Sequence, residues 1–324
     1  MSVQGNINTL ITVYGGSGFI GRHVVRALCR RGYRIRVAVR RPELTGFLQP
    51  LGRVGQVHAV QTNLRNPASV EAAARDAAVL VNLVGILTES SRQKFDAVHT
   101  GGAEQVALAA ASRDARLVHV SAIGADEQSA SRYARSKAAA ERLIFAAVPQ
   151  AAIMRPSIVF GPEDDFFNRF AALARMSPVL PLVGGGATRF QPVFVGDVAE
   201  AIAQAVDGNV SGGAVYELGG PEVRTFKELM HFVLATIERR RLFVPLPFFA
   251  ASIEAMALQF APWPLTLTPD QVELLRSDNI VSDAAKAEAR TIAAFGIEPE
   301  PIEAVVPSYL WRFRKTGQFR SRAA

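Results

Sequence analysis

A run of glycines near the amino terminus constrains the fold of this chain more than any other feature. It follows the short apolar segment Leu10–Tyr14 and precedes a stretch of helical periodicity that ends near Arg31. Glycines at i, i+3 and i+6 between a strand and a helix allow a tight turn, close approach of a phosphate and close helix–sheet packing. The N–H groups that open the helix then face the phosphates. The pattern predicts a dinucleotide-binding turn, the alternative being an ordinary glycine-rich turn; its residues are Gly15, Gly16, Ser17, Gly18, Phe19, Ile20 and Gly21.

Short apolar strands alternate with amphipathic helices along the first half of the chain. This alternation favours an α/β fold with a parallel sheet covered on both faces. Because crossovers between parallel strands are right-handed, the expected arrangement is a doubly wound Rossmann sheet. The predicted strands are Leu10–Tyr14, Arg34–Val39, Val57–Gln61, Val79–Val84, Leu117–Val120 and Ala151–Met154. The predicted helices run from the glycine turn to about Arg31, from Asn66-Pro67 to Ala74, over about Gly102–Ala111 and around Tyr133–Phe145.

The alternation of strands and helices becomes irregular after Arg155-Pro156, where pairs of glycine and proline residues interrupt it. We expect residues 1–160 and 190–220 to form the Rossmann domain. Residues 161–189 and 221–324 are then a smaller, mostly C-terminal lobe with a basic tail at 311–324. Within this lobe the acidic run Glu163-Asp164-Asp165 is interpreted as a solvated turn with helix capping. Arg189 is either a contact for a partner or a ligand phosphate, or an exposed surface residue.

Composition indicates a protein with a well-filled core, with 49% hydrophobic and 20% charged residues. The single cysteine, Cys29, excludes an internal disulfide and suits a reducing compartment. The opening residues lack the basic start and apolar run of a secretory signal, so we expect a cytoplasmic location. The histidines are scattered without cysteine or carboxylate partners at ligand spacing, so no metal site is expected.

The basic character of the chain is concentrated at its C-terminus. The net charge is +7 and the pI is about 10. Removing the five tail charges from that net charge leaves +2 for the rest of the chain, and no nucleic-acid motif accompanies them. The tail is either an attachment to a membrane or partner, or a solvated end. Its basic residues are Arg312, Arg314, Lys315, Arg320 and Arg322.

Two arginines occupy the end of the second predicted strand, where NAD sites usually carry an acidic residue for the ribose hydroxyl. A guanidinium at Arg40 or Arg41 would instead meet the 2′-phosphate of NADPH through charge-assisted hydrogen bonds. The expected cofactor is therefore NADPH, with NADP preferred over NAD; the alternative is that both side chains are merely solvated. We expect four further residues to lie near the cofactor: Asn63, Leu64, Val84 and Gly85. The alternative is that they are plain turn residues.

Tyr133 and Lys137 are four residues apart and lie on one face of a predicted helix. Such a lysine can bind the nicotinamide ribose and lower the pKa of the tyrosine, which makes the phenol usable as an acid or base. The alternative is an ordinary surface pair.

These residues together resemble the short-chain dehydrogenase/reductase superfamily, in its extended and atypical branches. The resemblance covers about residues 8–220 and includes the glycines, Tyr133, Lys137 and the segment beside the nicotinamide that contains Pro156. It implies a serine or threonine near the end of the fifth strand that holds a substrate carbonyl. Ser121 matches the first hydroxyl of that run, whereas the reactive position carries Ile123. Catalytic competence is therefore doubtful.

Two later segments, 161–170 and 181–193, are similar to one atypical branch: the NADPH-binding accessory subunit (alpha subcomplex subunit 9) of respiratory complex I and its bacterial relatives. This resemblance implies a structural nucleotide, complex I subunits as partners, and a peripheral position on the cytoplasmic face of the inner membrane. The rival interpretations are an active NAD(P)H-dependent oxidoreductase or epimerase acting through Tyr133, Lys137 and Ser121, and a sensor of the NADPH/NADP ratio. The apolar stretch Leu242–Thr268 is interrupted by prolines, and is either lobe core or a patch for a membrane or partner.

Overall fold

The computed structural model describes residues 7–90 and 93–317. Within these ranges the strands are β1 (Leu10–Tyr14), β2 (Arg34–Val39), β3 (Val57–Gln61), β4 (Val79–Asn82), β5 (Arg116–Val120), β6 (Ala152–Pro156), β7 (Val159–Phe160), β8 (Val179–Val183), β9 (Arg189–Phe190), β10 (Val193–Phe194), β11 (Ala214–Leu218), β12 (Arg224–Thr225) and β13 (Leu242–Leu246). The α-helices are α1 (Phe19–Arg30), α2 (Pro67–Ala74), α3 (Gly101–Ala111), α4 (Arg132–Ala147), α5 (Phe166–Met176), α6 (Val195–Asp207), α7 (Phe226–Thr236), α8 (Phe248–Leu258), α9 (Pro269–Leu274), α10 (Asp283–Ala287), α11 (Ile302–Val305) and α12 (Pro307–Leu310). A π-helical turn, Asp96–Thr100, leads into α3.

The main sheet is parallel, with strand order β11-β6-β5-β4-β1-β2-β3. The predicted doubly wound Rossmann fold is confirmed. Tyr14 is level with both Ala38 and Asn82, and Asn82 is level with His119. The segments that follow β1, β2, β4 and β5 therefore all begin at the same edge of the sheet, where ligands of such sheets bind.

The chain divides into two compact units. The first consists of residues 1–156, 195–218 and 283–297, and the second of residues 157–194, 219–282 and 298–324.

Buried apolar residues, many of them β-branched, form β1, β4 and β5 at the middle of the main sheet because both faces of the sheet are covered there. Helices α2, α3 and α4 pack side by side over one face, and α1 packs with α6. Two buried hydroxyl groups of β1 donate to backbone carbonyls of α2. The Tyr14 hydroxyl donates to the Val70 carbonyl at 2.8 Å, and Thr12 donates to the Ala73 carbonyl at 2.8 Å. These bonds tie α2 to β1.

Strand β4 is two residues shorter than predicted. The apolar run continues to Val84, but the Asn82 side chain accepts a hydrogen bond from the Val84 N–H at 3.2 Å. This local turn ends the strand and directs Val84 and Gly85 away from the ladder.

Residues 283–297 belong to the first unit, whereas the sequence analysis placed them in the smaller lobe. The Glu217 N–H donates to the Arg290 carbonyl at 3.0 Å, and Glu217 forms a parallel bridge with Thr291 beside the edge strand β11. The Phe295 ring packs edge-on against Tyr216, with 5.1 Å between ring centroids. A late segment thus covers the sheet edge, a long-range pairing that local sequence patterns do not reveal.

In the part of the chain that the structure describes, the second unit contains three two-stranded sheets, β7 with β10, β8 with β13, and β9 with β12. Its core is rich in aromatic rings from α5, α7 and the C-terminal helices. Arg189 lies on its surface and forms an ion pair with Asp278, with 2.7 Å between the charged atoms.

The acidic turn before α5 is only partly the solvated cap that the sequence suggested. Asp164 is buried, and its carboxylate accepts hydrogen bonds from the backbone N–H groups of Gly161, Phe167 and Asn168. The same carboxylate also accepts a hydrogen bond from the hydroxyl group of Tyr309, which belongs to α12. Burial outweighs these bonds and raises the pKa of the carboxyl.

The basic tail begins as packed structure, so the solvated-end alternative does not apply to its first residues, 312–314. Phe313 is buried, Arg312 donates to the Asn168 side chain at 2.6 Å, and Arg314 donates to the Thr236 carbonyl at 2.8 Å. The charges at Arg320 and Arg322 lie outside the described residues.

Large apolar side chains are exposed along one segment of the second unit. Phe249, Ile253, Met256 and Phe260 follow helical spacing along and just beyond α8, and each is more than half exposed. Further exposed apolar residues of this segment are Leu242, Val244, Trp263 and Leu265. We call residues 242–265 the apolar surface segment. Of the helices that the structure describes, none has the length and hydropathy to cross a bilayer.

Candidate functional site

The glycine turn between β1 and α1 forms a backbone cradle. Gly15 adopts a φ of 78°, and its carbonyl accepts a hydrogen bond from the Gly18 N–H at 3.0 Å. A Cβ atom at Gly21 would lie 2.3 Å from the Gly15 carbonyl oxygen, a distance that no side chain can occupy. A Cβ atom at Gly15 would press on Val84 at 3.0 Å. The turn therefore requires glycine for its own closure.

The start of α1 is suited to an anion. Gly18 caps the helix without a side-chain hydrogen bond, and the first turn carries no acidic residue. The N–H groups and positive end of the helix dipole are thus available to a phosphate that approaches over the glycines. These features fit the pyrophosphate of a dinucleotide.

The residues expected around the adenosine follow β2 and β3 at the same edge of the sheet. The side chains of Arg40 and Arg41 are exposed there. Asn63 uses its side-chain oxygen to accept the Arg65 N–H at 3.1 Å, which shapes the turn after β3. Leu64 is buried against α3. A Cβ atom at Gly102 of that helix would lie 3.0 Å from the Leu64 Cδ1 atom.

Helix α4 presents Tyr133 and Lys137 together. Ser131 begins the helix by accepting the Ala134 N–H at 3.2 Å, so positions 133 and 137 fall on one face. The Lys137 ammonium lies 5.9 Å from the centre of the Tyr133 ring and donates to the Val120 carbonyl at 3.1 Å. The two side chains therefore meet at the carboxyl end of β5.

Lys137 is almost completely buried, with only 4% of its surface exposed. Burial lowers the pKa of its ammonium to about 8, although the Glu141 carboxylate opposes this effect. Glu141 is in turn held by a salt bridge to Arg155 of β6, with 2.8 Å between the Arg155 Nε and a carboxylate oxygen. A Cβ atom at Gly85 would stand 3.4 Å from the Lys137 ammonium, so the backbone of the loop after β4 passes close to this charge.

Two residues near the end of β5 decide what chemistry the site supports. Ser121 is buried, and its hydroxyl has no hydrogen-bond partner among the described residues. Ile123 is also buried, and its N–H donates to the carbonyl of Pro156 at 3.1 Å. An isoleucine side chain cannot donate a hydrogen bond to an oxyanion, a contribution whose loss commonly costs about 10²–10³-fold in rate.

Two buried histidines beside this pair were not predicted as site residues. His99 and His119 are both nearly inaccessible, and burial beside the Lys137 charge lowers the pKa of each. A sequence signal existed for His99, since it precedes the buried Ala103 and Val106 by four and seven residues and so shares their helix face. No group of three or more potential metal-binding side chains occurs within residues 7–90 and 93–317.

The fold and this site define a class, the α/β proteins with a Rossmann-type dinucleotide site. Residues 11–219 match the model of the NAD dependent epimerase/dehydratase family, and the chain belongs to that family.

Relatives with described roles are similar over most of the chain. A mitochondrial NADH dehydrogenase (ubiquinone) 1 alpha subcomplex subunit 9 from Arabidopsis thaliana is 36% identical over 319 residues, which cover 94% of this chain and 78% of the relative. A ceramide reductase of Caulobacter vibrioides is 33% identical over 289 residues, covering 86% of this chain and 88% of that enzyme.

A solved structure supports the fold. The UDP-glucose 4-epimerase of Thermus thermophilus, determined in complex with NAD, superposes with a TM-score of 0.60 at 22% identity. The match covers 89% of this chain and 99% of the epimerase.

Proposed function

We propose that this protein is an NADP(H)-holding accessory subunit that associates with respiratory complex I. The observation that carries the proposal is the buried Ile123 beside an otherwise intact dinucleotide site. The cradle and the Tyr133–Lys137 pair are suited to binding a nucleotide, whereas the side chain expected to hold a reacting carbonyl is apolar. The likeness to alpha subcomplex subunit 9 along 94% of the chain supports the same conclusion.

The proposed nucleotide is NADPH or NADP. Arg40 and Arg41 are exposed immediately after β2, where the ribose of a dinucleotide lies in Rossmann sites. A guanidinium there favours a 2′-phosphate over a hydroxyl, since each charge-assisted hydrogen bond contributes about 1.5–3 kcal/mol. Tyr133, Lys137 and the backbone at Gly85 would hold the nicotinamide half.

The proposed contact with complex I is the apolar surface segment, residues 242–265. Eight of its large apolar side chains are exposed, and a concentration of exposed apolar surface is typical of an interaction site. We assign this surface to a complex I subunit at the cytoplasmic face of the inner membrane, because the relatives named for this complex span the same region of the chain.

The test is a native gel of mildly solubilised source membranes, probed for this chain. We expect comigration with complex I, and loss of the chain from that band in a strain that lacks the complex. Ile253→Glu should abolish comigration, whereas Val223→Glu, at an exposed apolar residue outside the segment, should not. Migration of the wild-type chain as a free monomer or small oligomer contradicts the proposal.

A second function, reduction of a carbonyl group in a lipid, is favoured by a specific finding. The ceramide reductase relative is similar along 86% of this chain, and Tyr133 and Lys137 are both present. A bound reduced nicotinamide supplies a hydride. The Tyr133 phenol would donate its proton to the carbonyl oxygen, the Lys137 ammonium would stabilise the resulting phenolate, and Ser121 would be the hydroxyl nearest to the missing position.

Tyr133→Phe separates the two functions. If the nucleotide is structural, this variant still comigrates with complex I and respiration by complex I is unchanged, because the ring contacts with Phe95 and His99 survive the substitution. If the chain is a reductase, NADPH oxidation with a lipid that carries a ketone falls by about 10²-fold or more, the range of a lost general acid. Measured wild-type turnover that depends on Tyr133 would establish the second function.

A further inference from the structure

The ring of His99 joins two parts of the candidate site that are far apart in sequence. Its Nε2 accepts a hydrogen bond from the backbone N–H of Ile86 at 2.9 Å, and its Nδ1 lies 2.9 Å from the Ser136 hydroxyl. Ile86 directly follows Gly85, and Ser136 directly precedes Lys137. His99 thus contacts both the loop after β4 and the helix that carries the Tyr–Lys pair.

The direction of each hydrogen bond follows from the donors. A backbone N–H can only donate, so Nε2 must carry the lone pair, and the proton of the neutral ring is on Nδ1. Nδ1 then donates to the Ser136 hydroxyl, which donates its own proton to the Tyr133 carbonyl at 2.7 Å. Burial and the nearby Lys137 charge lower the pKa of His99 to about 3, so the ring stays neutral at physiological pH.

Packing fixes the plane of the same ring. His99 stacks on Phe95 with 5.3 Å between centroids, and meets the Tyr133 ring edge-on at 5.4 Å. It belongs to the π-helical turn before α3, and the next residue, Thr100, donates to the Ser136 carbonyl at 3.3 Å. Single π-turns of this kind frequently occur at functional sites.

We infer that His99 is a positioning residue, which holds the Gly85–Ile86 backbone at a set distance from Tyr133 and Lys137 and thereby shapes the nicotinamide half of the dinucleotide site. The adenosine half is formed by other elements, the glycine turn and the end of β2. The inference rests on the proposed function in one respect, that the chain binds a dinucleotide.

The experiment compares two ligands on the purified full chain by calorimetric titration. NADPH occupies both halves of the site, and 2′,5′-ADP occupies the adenosine half alone. In His99→Phe, which keeps an aromatic ring but loses both hydrogen bonds, we expect NADPH to bind about tenfold more weakly, because the Gly85–Ile86 backbone is no longer held in place. The affinity for 2′,5′-ADP should stay within about twofold of wild type.

Two further variants keep the inference falsifiable if the phenylalanine variant folds poorly. Ser136→Ala removes one end of the chain of bonds and should show the same selective loss of NADPH affinity. His99→Gln retains a side-chain acceptor for the Ile86 N–H and should therefore bind NADPH more tightly than His99→Phe does. In wild-type protein, ¹⁵N NMR should show a neutral His99 with its proton on Nδ1.

Equal weakening of both ligands, or of neither, would overturn the positioning role while leaving the nucleotide proposal intact. The opposite tautomer of His99 would overturn the chain of bonds. A wild-type chain that binds neither NADPH nor 2′,5′-ADP would refute the proposed function and this inference together.

Discussion

Lys137 shows how one residue can be predicted by spacing and still behave in a way that spacing does not reveal. Its position relative to Tyr133 follows from helical geometry. The surroundings of its ammonium do not follow from helical geometry. They depend on Val120, Glu141 and Gly85, which lie on other elements or on another turn of the helix. The consequence is an ammonium whose pKa is lowered to about 8.

This shift predicts a pH dependence of stability. Between the folded pKa of about 8 and the ordinary value of 10.5, the unfolded chain binds a proton that the folded chain does not. The free energy of unfolding contributed by Lys137 therefore rises with pH across that window and is constant below it. At 1.36 kcal/mol per pKa unit the rise amounts to roughly 3 kcal/mol.

Urea unfolding of wild type and Lys137→Met at pH 7 to 10.5 measures this contribution, because all other groups titrate in both proteins and cancel in the difference. Lys227→Met is the matched control, because it removes a lysine that is exposed rather than buried. A flat curve for Lys137→Met would show that the ammonium is not buried in solution.

At the scale of elements, Asp164 organises the start of α5 and ties it to α12. Its carboxylate accepts three backbone N–H groups and the Tyr309 hydroxyl, so two separate segments share one buried group. Removing a single partner leaves the remaining polar atom buried without a hydrogen bond, which is costly.

Tyr309→Phe should therefore lower the free energy of unfolding by about 2 kcal/mol, within the range for hydrogen bonds to charged groups. Asp165→Asn is the control, since Asp165 is exposed and an asparagine oxygen can still accept the Trp263 indole N–H. The control should change stability by less than about 0.5 kcal/mol. Chemical denaturation of wild type and both variants measures these free energies of unfolding. A Tyr309→Phe variant as stable as wild type would contradict the role assigned to Asp164.

The elements of the Rossmann sheet were predictable because each depends on local pattern. Periodicity located β1, β2, β3 and α2 at their observed bounds. Two errors occur where distant parts of the chain intervene, since residues 283–297 return to the edge strand and Asp164 accepts a hydrogen bond from a tyrosine 145 residues later. The third error is local, because Asn82 ends β4 through a side-chain bond to Val84.

The candidate site divides in the same way. The glycine cradle and the Tyr133–Lys137 pair are encoded in short motifs, whereas His99 acquires its partners only when the loop after β4 and helix α4 come together. The packed start of the tail was missed for a similar reason, because Arg312 and Arg314 find their partners on α5 and α7.

At the scale of the whole molecule, the two proposed tasks are assigned to different units. The residues that would hold the nucleotide lie in the first unit, and the apolar surface segment lies in the second. Substitutions of the nucleotide-site residues should therefore leave association with complex I measurable, and substitutions in the apolar surface segment should leave nucleotide binding measurable.

The most direct test of the central claim is a titration of the purified chain with NADPH and with NADH. We expect NADPH to bind at least about tenfold more tightly, and the combined Arg40→Ala and Arg41→Ala variant to lose that preference while retaining its affinity for NADH. Arg34→Ala, an exposed arginine at the other end of β2, is the matched control and should keep the preference. Equal binding of the two nucleotides by wild type, or a preference that survives the double substitution, would contradict the account.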